Sequence, residues 1–314
     1  NCSLVNELSD LFDISNDSAY RRLRGETALT FDEIIILCKK YNISFDFITG
    51  LVSNSVTFKY EPNGNTKEEF KNYLSVICND LEMLSKTKNC KIIYAAEDIP
   101  LFHHFQYPEL ASFKLFYWMK SVMNVPEYIE SKFSPDIIDN EILDLCKKMD
   151  DYYRIIPSVE IWTELTINSL IKQIQFYWDS GLFADKKYAL SVCDCLKLEL
   201  ENIMKQAEKS TKFINDREML INEGNFTLYH SEVEIGNNCI LASVSDNRTV
   251  YLSHFTFNFI STTGKSFCDE TEKWLNNLIR KSILISGVSE KQRYQFFSAA
   301  VKSVENLKKR IENE

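Results

Sequence analysis

Leu8-Ser-Asp-Leu-Phe-Asp-Ile-Ser15, continued by Asn16-Asp-Ser-Ala-Tyr-Arg-Arg-Leu-Arg-Gly25, is the core of a stretch from Glu7 to Phe47 that reads as a helix, a tight turn and a second helix. Leu8 and Phe12 lie four apart and so share a helical face, with the small Ser9 beside them where a second helix must approach closely. Asp13 falls where the first helix has to stop, a position that favours a left-handed backbone; glycine adopts it most easily, and Asp or Asn tolerates it. Ser15 is placed to cap the next helix by accepting an otherwise orphaned N–H. In that helix Ala19 and Leu23 are expected to face inward, and Asn16, Asp17, Ser18, Tyr20, Arg21 and Arg24 outward. Gly25 ends it in the usual position just past the last turn. Thr30 with Glu33 three residues on forms a capping box for a third helix, whose buried face is expected to be Ile34, Ile35, Leu37, Cys38 and Tyr41.

Two helices joined in this way can set the second into the major groove of duplex DNA, with its N-terminal residues at the base edges. The candidate base readers are therefore Asn16, Asp17, Ser18, Tyr20 and Arg21, while Arg22 and Arg24 suit phosphates. The stretch resembles the lambda-repressor-like (XRE-type) helix-turn-helix family. The residues that carry the resemblance are Leu8, Ser9, Phe12, Ile14-Ser15, Gly25, Thr30-Phe-Asp-Glu-Ile34 and Ile43-Ser-Phe-Asp-Phe47, all within roughly the first 50 positions. The resemblance implies a sequence-specific DNA-binding transcriptional regulator that works as a homodimer. Asp13 stands where the family usually has glycine, and Arg22 where an apolar residue is common. The family's first helix has no counterpart, so residues upstream of Asn1 are expected.

The 314 residues carry a net charge of −9, which excludes a protein that coats nucleic acid through a broad basic surface. Within residues 7–47, Arg21, Arg22, Arg24, Lys39 and Lys40 face eight acidic residues: Glu7, Asp10, Asp13, Asp17, Glu26, Asp32, Glu33 and Asp46. Any DNA contact must therefore be local to the arginine cluster. With 8 Gly and 6 Pro the chain has few breakers, which favours helices. The sequence has neither a signal-peptide pattern at its start nor a long uncharged apolar run, so a soluble cytoplasmic protein without membrane contact is expected. Nine cysteines, several within apolar periodic segments, read as buried thiols of a reducing compartment.

The expected organisation is a helix-turn-helix domain over residues 1–52, a linker over 53–66 and a mainly helical sensor or oligomerisation domain over 67–314. Phe70, Tyr73, Leu74, Ile77, Leu81 and Leu84 form a helical stripe, and Lys186 to Lys209 reads as a core helix or a dimerisation helix. Lys91 to Ala96 is an isolated strand candidate. Residues 225–260 read as a small antiparallel meander made from Phe226–Ile235, Cys239–Val244 and Thr249–Ile260. The fold class expected is thus mainly α.

Cys193 and Cys195 lack the second Cys or His pair that zinc needs. His103 and His104 are adjacent, so they diverge and are expected to pack rather than chelate one ion. No nucleophile elbow, phosphate loop or metalloprotease motif appears, and no catalytic residues, metal or cofactor are assigned. Phe113, Phe116, Tyr117, Trp118, Trp162, Phe176, Tyr177 and Trp178 read as core, with room for an aromatic-lined pocket that would hold a small-molecule effector. The rival readings are a protein-interaction scaffold using the N-terminal helices and a metal-dependent hydrolase using His103, His104 or His254.

Overall fold

The computed structural model describes residues 4–41, 45, 55–62, 64–213, 224–255 and 258–314. The chain divides into two compact units, Asn1–Thr57 and Phe58–Glu314. The expected ending around Ile43 to Phe47 lies outside the described residues apart from Phe45.

The first unit holds α1 (Leu4–Phe12), α2 (Asn16–Leu23) and α3 (Phe31–Tyr41). Its core is thin: Val5, Leu8 and Ala19 are buried, with Phe12, Ile14 and Leu37 packed against them. Helix α3 buries no residue fully, and Leu23, expected inside, is 44% exposed. The expected inward face of α3 is therefore only half-covered.

The second unit is built on a seven-stranded mixed sheet in the order β6-β5-β4-β1-β2-β3-β7. Its strands are β1 (Cys90–Ala96), β2 (Ser158–Trp162), β3 (Phe226–His230), β4 (Cys239–Val244), β5 (Asn247–His254), β6 (Asn258–Thr262) and β7 (Ile283–Leu284). Helices in chain order are α4 (Lys67–Ser85), α5 (Leu101–His104), α6 (Pro108–Tyr117), α7 (Asn140–Ile155), α8 (Glu164–Asp179), α9 (Lys186–Lys209), α10 (Lys265–Lys281) and α11 (Glu290–Asn313). This corrects the mainly helical expectation: the fold is α/β. Strands β1, β2 and β3 run parallel, and the parallel neighbours are connected through helices, as parallel pairing requires.

The small separate meander expected over residues 225–260 is not formed: its strands belong to the seven-stranded mixed sheet. Phe226–His230 pairs with β2 and β7, while β4, β5 and β6 form the antiparallel set. The run read as one strand from Thr249 to Ile260 contributes both β5 and β6.

Both faces of the sheet are covered. Ile92, Tyr94, Ala96 and Trp162 point into the larger core, shared with residues of α4 to α9 and α11. Ile93, Ala95, Val159 and Ile161 point the other way, against Cys268, Leu275 and Leu278 of α10. Alternation along β1 thus serves two apolar layers at once, which is why it reads as a continuous apolar run. The segment read as linker is partly structural: the Lys59 N–H donates to the Ser261 carbonyl at 2.7 Å, and the Lys59 carbonyl accepts the Ser261 N–H at 3.0 Å.

Candidate nucleic-acid interface

The turn between α1 and α2 is built as the residue types dictate. Asp13 has φ +53°, the left-handed conformation that lets the chain reverse. The Ile14 N–H donates to the Ser9 carbonyl at 3.0 Å, and the Ser9 hydroxyl donates to the Ile14 carbonyl at 2.5 Å. Ser9 therefore does more than leave space: it ties the end of α1 to the turn. Ser15, with φ −67° and ψ 154°, accepts the Ser18 N–H at 3.3 Å and caps α2. Gly25, at φ +73°, closes α2, and its N–H donates to the Arg22 carbonyl at 3.0 Å.

On α2, Asn16, Asp17, Tyr20, Arg21 and Arg24 are exposed, Ser18 is half-buried, and Ala19 faces the core. Arg offers paired donors to a guanine edge, Asn a donor and an acceptor to an adenine edge, and Asp accepts from a cytosine amine, so the first turns carry groups able to read bases. Arg21 and Arg24 lean on the exposed Glu26, at 3.9 and 3.2 Å, contacts that solvent keeps weak. Arg24 also lies 6.0 Å from the centre of the Tyr20 ring.

Arg22 is placed differently from the other two arginines. Its Nη2 and Nε lie 2.8 and 3.0 Å from Oε1 of Glu33, and its Nη1 donates to the Ser18 carbonyl at 3.2 Å. Both side chains are mostly covered, at 16% and 12% exposure. The other oxygen of Glu33 accepts the Thr30 N–H at 2.8 Å, while the Glu33 N–H donates to the Thr30 hydroxyl at 3.2 Å, completing the capping box of α3. The hydrogen bond from Arg22, reinforced by that from Thr30, holds the Glu33 carboxyl below its usual range. Arg22 thus occupies a semi-buried position and clamps α2 to α3. It is not free to meet a phosphate.

The second unit contains an ionisable cluster that sequence reasoning missed. Glu160, fully buried on β2, accepts from Tyr153 Oη at 2.7 Å and Trp162 Nε1 at 3.0 Å, and lies 3.1 Å from His103 Nε2. Burial pushes the Glu160 carboxyl upward, but His103, Lys212 and Tyr153 together bring it below the ordinary value. Lys212 is itself buried, donating to the Tyr153 and Ile156 carbonyls at 2.8 and 2.7 Å, with its Nζ 3.8 Å from the centre of the Tyr153 ring. Burial lowers its ammonium to about 7 against the partial support of Glu160.

His104 turns to a different carboxylate, Glu199, at 2.8 Å. The adjacent histidines therefore diverge, each into its own buried pair. His254 sits on β5 against Tyr60, ring centres 5.6 Å apart, remote in the chain from both. Among the described residues no group of three or more His, Cys, Asp or Glu side chains is arranged to hold a metal ion. Cys193 and Cys195 are buried thiols of α9, pushed up to about 12 by burial. Among the described residues no helix is long and apolar enough to cross a membrane. The chain matches no protein-family model, no curated protein and no solved structure.

Proposed function

We propose that the protein is a sequence-specific DNA-binding transcriptional regulator of the cytoplasm, acting as a homodimer. In this reading residues 1–57 set helix Asn16–Leu23 into the major groove, and residues 58–314 sense a signal or mediate assembly. One observation carries it: a left-handed turn at Asp13 and a Ser15 cap lead into a helix whose outward side chains, Asn16, Asp17, Tyr20, Arg21 and Arg24, are exposed and of base- or phosphate-contacting type. Dimerisation is supported by the apolar surface left on so small a unit, where Leu4, Leu23 and Phe31 are 53%, 44% and 62% exposed.

The same exposed side chains favour a second reading, in which the N-terminal helices dock onto another protein. Mobility shifts with the DNA upstream of the protein's own gene, repeated across salt concentrations, separate the two. The DNA reading expects Arg21→Ala to lower affinity for that DNA and to narrow its preference over scrambled sequence. Arg24→Ala should weaken both DNAs alike and reduce the salt slope by about one. Equal behaviour of the two variants on both DNAs overturns the division of roles, and no salt-dependent shift at all overturns DNA binding.

A further inference from the structure

Helix α4 presents Tyr73, Val76, Ile77, Asp80, Leu81 and Leu84 at spacings of three and four, so all six lie along one stripe. That stripe faces β1, β4, β5 and β6 across a cavity of about 120 Å³. The opposing wall includes Ile92 and Tyr94 of β1, Ala242 of β4 and Phe259 of β6, with Phe102 of α5 completing it. The space is close to the ~150 Å³ that accommodates a benzene ring in an engineered apolar cavity, and several times what one water requires. Val76, 37% exposed on the cavity's rim, marks where it meets solvent.

Three charged residues line this space: Lys59, Glu61 and Asp80. Lys59 is taken by Glu61, 2.6 Å away. Asp80, half-buried in the middle of an apolar stripe, forms no ion pair within 4 Å among the described residues; burial raises its carboxyl above the usual range, against the charge of Lys59 farther off and a hydrogen bond from the Tyr251 hydroxyl. The lining therefore carries one net negative charge, with its lysine paired to Glu61. Burying a carboxylate in such a place is unfavourable unless something cationic or hydrogen-bond-donating meets it. Tyr94, 3% exposed, adds a phenol hydroxyl on the same wall.

We infer that the space between α4 and the sheet binds a small amphipathic amine, its single ring or branched alkyl body among Leu81, Ile92 and Phe102 and its ammonium beside Asp80. The size of the cavity sets the one-ring limit, the aliphatic and aromatic walls set the body, and the net negative lining at Asp80 sets the charge. This inference rests on the regulator reading only in making the amine an effector; the binding itself does not require DNA.

The test uses the full chain with benzylamine and its uncharged counterpart, benzyl alcohol, as probes, followed by calorimetry and by methyl chemical shifts of Ile77, Leu81 and Ile92. Benzylamine should bind saturably and at least about tenfold tighter than benzyl alcohol. Asp80→Asn should remove that preference while leaving benzyl alcohol binding unchanged, which an unfolded variant would not do. Ala242→Phe, which fills the space, should abolish both. Equal affinity of the two probes for the unmodified protein, an undiminished preference in Asp80→Asn, or shifts confined to residues outside the cavity would each overturn the site. Amine binding that leaves DNA affinity unchanged supports the site and overturns the effector role. Loss of DNA binding as a premise, by contrast, leaves the probe result standing.

Discussion

Arg22 and Glu33 should couple α2 to α3 strongly enough to measure, and should do so without contributing to DNA contact. The perturbation is a double-mutant cycle with Arg22→Met, which keeps the side-chain stem, and Glu33→Gln, which keeps an acceptor for the Thr30 N–H. An exposed ion pair is worth about 0.2–1 kcal/mol, and a hydrogen bond to a charged group removed from water about 1.5–3. Here two guanidinium nitrogens sit within 3.0 Å of one carboxylate oxygen, and both side chains are at most 16% exposed. The pair lies between those regimes, and a coupling of about 1–2 kcal/mol is expected.

The assay is amide hydrogen exchange over residues 16–41 in the full chain, which reads local opening free energy without requiring the two units to unfold together. A second readout is the salt slope of DNA binding. Arg22→Met should leave the slope alone, whereas Arg24→Ala should lower it by about one. The Glu33 carboxyl is held below its ordinary value of 4.5, so the coupling is fully present above that pH and is lost as pH falls through the lowered folded value. A coupling under about 0.3 kcal/mol, the error of additivity, or a slope change in Arg22→Met equal to that in Arg24→Ala would refute the clamp.

Two further outcomes follow from the charges already described. Glu26→Gln frees Arg21 and Arg24 from their shared carboxylate and removes a negative charge from the face proposed to meet DNA; affinity in the mobility shift should rise about two- to fivefold at low salt and converge with the unmodified protein at high salt. Lys212, held at about 7 when folded, binds a proton in the unfolded chain up to its ordinary 10.5. Between those values the unfolded state holds more protons, so this group makes stability rise with pH, by up to about 1.4 kcal/mol per unit, and its penalty is constant below 7. Denaturation of the unmodified protein and Lys212→Met from neutral pH to about 9 should show that extra slope in the former only; parallel curves would mean that Lys212 keeps its proton in the fold.

The elements legible in sequence were those governed by local rules. Asp13, Ser15, Gly25 and the Thr30–Glu33 box each behave as their residue types require, because each is a decision between backbone conformations a few residues apart. Lys186–Lys209 is a core helix as its stripe indicates. What was not legible depends on distant partners. Ser158-Val-Glu-Ile-Trp162 conceals a central strand because Glu160 interrupts its apolar run, and the groups that satisfy that carboxylate include His103, 57 positions away. Phe226–His230 lies close in sequence to β4 yet pairs with β2, since two intervening helices carry the chain back across the sheet. Arg22 and Leu23 could not be ordered by periodicity alone: the arginine packs and the leucine is exposed because Glu33 is there to receive the guanidinium.

Arg22, Glu160 and Asp80 each sit where an apolar stripe or run would place a hydrocarbon, and their surroundings differ. Arg22 meets Glu33 and the Ser18 carbonyl. Glu160 meets His103, Tyr153 and Trp162. In both cases the fold supplies the countercharge or the donors, so the group is satisfied by the protein itself and its removal should be read as lost packing and lost hydrogen bonds. Asp80 has the same kind of position but only the Tyr251 hydroxyl and the more distant charge of Lys59, itself held by Glu61, to meet its carboxylate. An ionisable group in an apolar setting is tolerated when its partner is at hand, and Asp80 lines a space large enough to admit one from outside.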